Sequence, residues 1–190
     1  MSSNDSISFD DIKDLLLAEK SNRVWFTTSN LKGINNISFA KNSHDTVYVN
    51  LQHDEADETS IPGNSITSFL EDKAGNVWFG TANAGLSINS NFSSKFDSDN
   101  DWGLLKCKIY AVEAAKDDFL WVATDYGLEY VSVDGIRYDN LSKTYLGTSQ
   151  IIDIFYQNDE SLWVGTTSGL LNVNTKNRSI KRYSSKSSDE

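Results

Sequence analysis

Histidine and cysteine, which often carry catalysis or bind metals, are few in this sequence. Its 190 residues contain two histidines, His44 and His53, and a single cysteine, Cys107. One cysteine excludes an internal disulfide and a cysteine-rich metal site. The sequence also has no Gly-x-Ser-x-Gly elbow, no phosphate-binding loop and no His-Glu-x-x-His motif. We therefore predict neither an enzyme active site nor a bound cofactor.

Two acidic stretches could in principle bind a cation. His53 is followed by four acids within Asp54–Glu58, an arrangement that a solvated acidic loop explains without a metal. The stretch Asp97–Asp101 is similar to a calcium loop, but Trp102 stands where such a loop needs glycine, and Lys108 where it needs glutamate. We predict no metal site in either stretch.

The overall charge of the chain disfavours nucleic acids and anionic membranes as partners. The formal net charge is −10, so the chain should repel phosphate backbones and anionic lipid surfaces. No apolar run approaches the ~20 residues that a membrane helix needs, and the polar start of the chain does not resemble a secretory signal. We expect no nucleic-acid partner and no direct membrane insertion by this segment.

The strongest pattern is a tryptophan-centred repeat. Four short runs have the form apolar-Trp-apolar-small-Thr, each followed by glycine and leucine or isoleucine, and their tryptophans are 53, 43 and 42 residues apart. A repeat of roughly 40–45 residues built from short apolar runs is typical of propeller blades. Equivalent positions in every unit indicate a structural role in the core for Trp25, Trp78, Trp121 and Trp163.

Each unit reads as a four-stranded antiparallel meander, so we predict an all-β fold of four β-propeller blades. The expected blades span 10–64, 65–107, 108–149 and 150–184, with a flexible start at 1–9 and a flexible tail at 185–190. In three units the first strand contains an isoleucine 12 residues before the tryptophan; in the first unit Ile12 lies one place earlier. The segment Asp11–Leu17 could also begin a helix, but equivalence with the other units favours a strand.

The glycine after each tryptophan strand should have a backbone role. It suits a turn that requires positive φ, or a close approach of two backbones. The indole N–H of a buried tryptophan needs an acceptor, which a carbonyl or the acidic turn before its strand could supply.

Taken together, these residues resemble the two-component regulator propeller repeat. The second unit matches best, with Ile66, the turn Glu71–Asn76, the strand Val77–Thr81 and then Gly85-Leu86. The fourth unit is similar; the third has Ala123 for the first glycine, and the first has Thr27 there. The resemblance implies a sensory propeller outside the cytoplasmic membrane, upstream of a membrane span and an output such as a histidine kinase or diguanylate cyclase. It also implies that ligands are often derived from carbohydrates.

We therefore expect a ligand-sensing propeller segment of a bacterial signalling protein, in the periplasm or outside the cell, with the cytoplasm as the open alternative. Two other functions stay open: a protein-interaction propeller without a small ligand, and a propeller lyase or hydrolase. An unclosed arc of four blades leaves two apolar faces in water. Either the four blades close alone, or two arcs pair into a larger ring, or further blades lie outside this segment. We expect the second case, a partial propeller that self-associates through its terminal blades.

Ligand contacts are expected where two sets of loops share one end of the blades. These loops join the second and third strands of a blade, or one blade to the next. An aromatic ring beside amides and carboxylates suits a carbohydrate-like ligand. The predicted contact residues are Trp102, Tyr126, Asp125, Tyr145, Asn83 and His53. For Trp102, capping a blade edge is the competing interpretation.

Overall fold

The predicted all-β fold is confirmed. The structure, a computed structural model, describes residues 11–29, 33–39, 46–90, 96–97, 104, 106–116, 118–134, 137–148 and 150–183. Those residues form sixteen strands in four antiparallel four-stranded sheets, called blades 1–4, and one short helix. The expected flexible ends, residues 1–9 and 185–190, lie outside the described residues, as does Trp102.

The chain divides into two compact units, Met1–Asp99 and Asn100–Glu190. The first unit holds two sheets whose strands follow chain order. Blade 1 consists of β1 (Ile12–Ala18), β2 (Arg23–Thr28), β3 (Ile34–Phe39) and β4 (Thr46–Leu51). Blade 2 consists of β5 (Ile66–Glu71), β6 (Val77–Thr81), β7 (Leu86–Asn89) and β8 (Phe96–Asp97).

The second unit repeats the arrangement. Blade 3 consists of β9 (Ile109–Ala114), β10 (Phe119–Thr124), β11 (Gly127–Ser132) and β12 (Arg137–Ser142), followed by the helix α1 (Lys143–Leu146). Blade 4 consists of β13 (Ile151–Asn158), β14 (Ser161–Thr166), β15 (Gly169–Val173) and β16 (Ile180–Tyr183). In the described part of the chain, no helix has both the length and the apolar character to cross a membrane.

The segment Asp11–Leu17 is a strand, as its equivalence with the other units predicted. Trp25 pairs with Leu16, nine residues earlier, whereas Trp78 pairs with Leu70, eight residues earlier. The β1–β2 hairpin is therefore one residue longer than the β5–β6 hairpin, which explains why Ile12 is displaced by one place. In all four blades the isoleucine lies opposite the last threonine of the tryptophan strand, just before a shift in register typical of a β-bulge.

Each unit has an apolar core between its two blades. In the first, Trp25 contacts Phe79 of blade 2 edge to face, with ring centroids 5.3 Å apart, and Ile34, Ile61 and Ile66 fill the same cluster. A buried indole removes about 150–250 Å² from water, which at ~25 cal/mol per Å² contributes several kcal/mol. In the second unit Trp121 packs in one cluster with Val164, Leu171 and Val173 of blade 4.

The threonine and glycine of the repeat close the turn between the second and third strands. The hydroxyls of Thr81, Thr124 and Thr166 donate to the carbonyl oxygens of Gly85, Gly127 and Gly169, at 2.8, 3.1 and 2.7 Å. The predicted positive φ is found: +77° at Gly85, +145° at Gly127 and +128° at Gly169. The close approach is found as well, because a Cβ atom on Gly127 would lie 2.1 Å from the carbonyl oxygen of Leu141.

The acidic turn does supply an indole acceptor in blade 2. Trp78 Nε1 donates to Asp72 Oδ2 at 2.9 Å, and Asp72 Oδ1 also accepts from the amide of Asn76 at 2.9 Å. In blade 1 the register places Ala18 where blade 2 has Asp72. Alanine has no side-chain acceptor, and the buried Nε1 of Trp25 has no hydrogen-bond partner among the residues that the structure describes.

Helix α1 was not predicted, although both of its boundary residues are of types typical of helix ends. The hydroxyl of Ser142 accepts from the amide of Tyr145 at 3.2 Å, as at a helix N-cap. Gly147 ends the helix in the left-handed region at φ 59°. The outer strand of blade 3, Arg137–Ser142, therefore ends at the N-cap of this helix.

Candidate functional site: the cleft between blades 3 and 4

Three of the predicted ligand contacts, Asp125, Tyr126 and Tyr145, lie in the second unit. Asp125 and Tyr126 form the turn between β10 and β11, where Asp125 Oδ1 accepts from the amide of Lys108 at 3.1 Å. The ring of Tyr126 is exposed. Tyr145 donates its hydroxyl proton to the carbonyl oxygen of Arg178 at 2.7 Å, so this hydroxyl joins α1 to the β15–β16 turn.

In the first unit, His53 and Asn83 flank the same segment, residues 61–64. His53 Nδ1 lies 2.7 Å from the carbonyl oxygen of Ile61, which can only accept, so Nδ1 carries the proton. The amide of His53 donates to Asn64 Oδ1 at 2.7 Å. Asn83 Oδ1 would lie 3.4 Å from a Cβ atom placed on Gly63. These bonds give His53 a role in holding its loop; ligand contact by either residue stays a prediction.

A cleft of about 380 Å³ opens at the other end of the strands in the second unit. It lies where the β9–β10, β13–β14 and β15–β16 turns of blades 3 and 4 meet. Its lining residues are Lys116, Phe119, Trp121, Tyr130, Asp139, Tyr156, Asp159, Thr175 and Lys176. They combine four aromatic rings with four charged side chains and one hydroxyl.

The aromatic wall follows from strand alternation. Phe119 and Trp121 are two residues apart on β10, so both project from the same face of blade 3. Tyr130, paired with Trp121 on β11, lies on that face too. Its ring stacks on Phe119 with centroids 4.8 Å apart and leans on Trp121 at 4.6 Å. Tyr156 of β13 adds a fourth ring, from blade 4.

The rim is held by hydrogen bonds and ion pairs between turns. The hydroxyl of Tyr156 donates to Asp159 Oδ1, and Lys116 Nζ lies 3.3 Å from Asp159 Oδ2. These two bonds, the tyrosine's first, lower the pKa of Asp159, so its carboxylate stays ionised and able to accept. Lys176 Nζ lies 2.8 Å from Glu160 Oε1, and that bond raises the pKa of the lysine.

A second pair of carboxylates lies on the first strands of the two blades. Glu113 Oε1 on β9 accepts from the amide of Tyr156 on β13 at 3.4 Å. Burial raises the pKa of Glu113, and the charge of Asp153 raises it further, against the lowering effect of the Tyr156 amide. This bond joins the blades behind the aromatic wall, so Glu113 positions Tyr156.

This cleft was not predicted from the sequence. The signal available in the sequence was an aromatic residue beside a polar turn in two consecutive repeats. Within the described residues, no three His, Cys, Asp or Glu side chains group as a metal ion would require.

Comparison with known proteins supports the repeat and the fold. Residues 60–83 match the sequence model of the family described as two component regulator propeller. Among curated proteins no significant match exists. The expected resemblance is confirmed by the family match.

Solved structures with the same fold come from several bacterial proteins. The extracellular domain assigned to the hybrid two component system BT3049 of B. thetaiotaomicron matches 90% of this chain with a TM-score of 0.70 at 17% identity. PorZ, a surface component of the type-IX secretion system of Porphyromonas gingivalis, matches 85% with a TM-score of 0.64 at 16% identity. Virginiamycin B lyase from Staphylococcus aureus matches 93% with a TM-score of 0.63 at 16% identity.

The chain spans only part of each of these proteins. It covers 24% of the BT3049 domain, 25% of PorZ and 56% of the lyase. Because the sequence identities are low, these similarities establish the fold and nothing beyond it. Residues 60–83 of this chain carry a two component regulator propeller repeat, and the blades around them have a β-propeller fold.

Proposed function

We propose that this chain is a ligand-sensing propeller segment of an extracytoplasmic bacterial signalling protein. The observation that carries the proposal is the two component regulator propeller repeat at residues 60–83, set in sheets with the fold of an extracellular two component system domain. The segment would then lie in the periplasm or outside the cell. There it would contact solutes, and a membrane-spanning region and an output region would act after it.

The cleft between blades 3 and 4 is the proposed ligand site. Its volume, about 380 Å³, falls within the roughly 300–1,000 Å³ of small-molecule sites. The aromatic wall offers apolar surface to the C–H groups of a ligand, and the rim offers both donors and acceptors. Lys116 and Lys176 can donate to a hydroxyl, while Asp139 and Asp159 can accept from one.

The charge of the rim favours a neutral, polyhydroxylated ligand. Two lysines and two aspartates line the cleft, so their formal charges cancel. The chain as a whole carries −10, which disfavours acidic sugars at a distance. We therefore propose a neutral carbohydrate-derived ligand.

Calorimetric titration of the chain with a panel of neutral oligosaccharides, and with uronic-acid oligosaccharides for comparison, tests this proposal. We expect at least one neutral ligand to bind, and Asp159→Asn to weaken its affinity about 10-fold or more, since 1.4 kcal/mol is tenfold in affinity. Glu58→Gln, which removes an exposed charge in the first unit, serves as the matched control and should leave the affinity unchanged.

Tyr126→Ala distinguishes the cleft from the predicted loop site. A loss of affinity on Tyr126→Ala with none on Asp159→Asn would move the ligand to the loops. If no neutral oligosaccharide binds to a chain shown to be folded, ligand sensing is contradicted, and the protein-interaction propeller becomes the better hypothesis.

A further inference from the structure

One face of blade 4 is apolar and open to solvent. Phe155 is paired with Trp163, and Leu170 is paired with Tyr183. Strand alternation places all four side chains on one face, since Leu170 is opposite Gly165, two residues from Trp163. Phe155 is 59% exposed, Leu170 and Tyr183 are exposed, and Trp163 is half-buried. We call this the Trp163 face.

The β1 part of one face of blade 1 also exposes apolar side chains, whereas Phe26 on the same face is buried. Leu15 is opposite Phe26, and Leu17 is opposite Val24, so these four side chains share a face. Leu15 is 63% and Leu17 is 53% exposed. We call this the Leu17 face. It is the opposite side of the sheet from Trp25, which packs into the core of the first unit.

The core of the first unit shows what such faces pack against. There, the tryptophan side of blade 1 contacts the side of blade 2 that carries Val77 and Phe79, the neighbours of Trp78 in sequence. The corresponding neighbours of Trp25 are Val24 and Phe26, which belong to the Leu17 face. The face of one blade that carries the tryptophan therefore packs on a face of the next blade. That second face carries the two residues that flank the next blade's tryptophan in sequence. By that rule the Trp163 face and the Leu17 face are complementary.

Some polar groups on both faces are already hydrogen-bonded, although the Trp163 face also carries the charged side chains of Asp153 and Lys181. Trp163 Nε1 donates to Gln157 Oε1 at 2.8 Å, so burial of the indole would leave no donor unpaired. On the Leu17 face, Asn35 Oδ1 accepts from Tyr48 at 2.6 Å and from Asn50 at 2.8 Å. Burial of an unpaired polar group costs free energy, so these internal bonds suit both faces for contact with another protein.

We propose that the Trp163 face of one copy of this chain docks on the Leu17 face of a second copy. The contact repeats the packing of blade 1 on blade 2 between two chains. It is heterologous, because the two surfaces that meet are different. It removes from water the large apolar side chains that monomeric proteins rarely expose together.

Two single variants and their mixture test this proposal by light scattering across a concentration series. The wild-type chain should show a particle mass of two or more copies, rising with concentration. Leu17→Arg and Trp163→Arg should each behave as one copy, because each lacks one of the two surfaces. Mixed in equal amounts they should form a particle of two copies, since the first retains the Trp163 face and the second retains the Leu17 face.

Val47→Arg is the matched control. Val47 is 55% exposed on the outer strand of blade 1, and the pairing of Ser38 with Arg23 and with Val47 places it on the Trp25 side. This variant should associate like the wild type. Thermal unfolding followed by circular dichroism verifies that all variants fold.

Three results would overturn the proposal: a wild-type chain that stays at one copy at every concentration, a mixture of folded variants that stays at one copy, or Leu17→Arg that still associates. The last would indicate a contact between two identical faces. None of these results depends on ligand binding, so they leave the proposed function untouched.

Discussion

The same substitution at two equivalent tryptophans should have very different effects on stability. Trp25 and Trp78 lie at matching positions in adjacent blades of the first unit and are 1% and 0% exposed. Replacement by phenylalanine removes similar volume at both sites, which we expect to cost about 1–2 kcal/mol, a fraction of the 3–5 for truncation to alanine. The sites differ in the indole N–H.

At Trp78 the substitution also removes a buried bond to the carboxylate of Asp72. Hydrogen bonds to charged groups contribute about 1.5–3 kcal/mol, so Trp78→Phe should cost about 3–5 kcal/mol in total. At Trp25 it removes a buried donor that has no hydrogen-bond partner within the described part of the chain, which returns about 1–3 kcal/mol. Trp25→Phe should therefore be close to neutral.

Urea unfolding followed by far-ultraviolet circular dichroism measures both values without relying on tryptophan fluorescence. The expected difference in the free energy of unfolding is at least about 2 kcal/mol. Equal losses, within about 0.5 kcal/mol, would refute the reasoning that the indole bond in blade 2 and its absence in blade 1 set these stabilities.

Two other predictions concern the second unit. Gly127→Ala should lower the free energy of unfolding by about 3 kcal/mol or more, because φ is +145° and the new Cβ atom would lie 2.1 Å from Leu141 O. Gly165→Ala is the control, with its nearest atom 3.6 Å away, and should cost less than about 1 kcal/mol in the same urea titration. Glu113→Gln should change the pH dependence of stability. Burial, and then the charge of Asp153, raises the pKa of Glu113 in the folded state. The contribution of Glu113 to stability is therefore complete below its pKa in the unfolded chain, and it is lost as pH rises through its pKa in the folded protein. When thermal unfolding is measured from acid to neutral pH, the unfolding temperature of the variant should rise relative to that of the wild type as pH increases. A constant difference between the two proteins would contradict a raised pKa for Glu113.

The repeat made most of the fold predictable. The threonine and glycine found at Thr81 and Gly85 recur in blades 3 and 4 because the threonine hydroxyl bonds to the glycine carbonyl across the turn. Gly165 has no such constraint, and the third repeat accordingly carries Ala123 at the equivalent position. Local chemistry of this kind repeats with the sequence and can be predicted from it.

Features that depend on the neighbouring blade could not be predicted. Trp163 occupies the same position in its repeat as Trp25, yet it is half-buried, because its exposure depends on which sheet packs against it. The cleft was missed for the same reason. It exists because Tyr156 of blade 4 lines the same space as Phe119 and Tyr130 of blade 3, a lateral arrangement that no spacing within one repeat encodes.

Hydrogen exchange of the chain, followed by mass spectrometry, tests the central claim that four equivalent repeats each build one four-stranded sheet. We expect slow exchange in the second strand of every blade, separated by faster turns; these strands are Arg23–Thr28, Val77–Thr81, Phe119–Thr124 and Ser161–Thr166. Protection confined to one or two of these strands, with rapid exchange in the others, would contradict it.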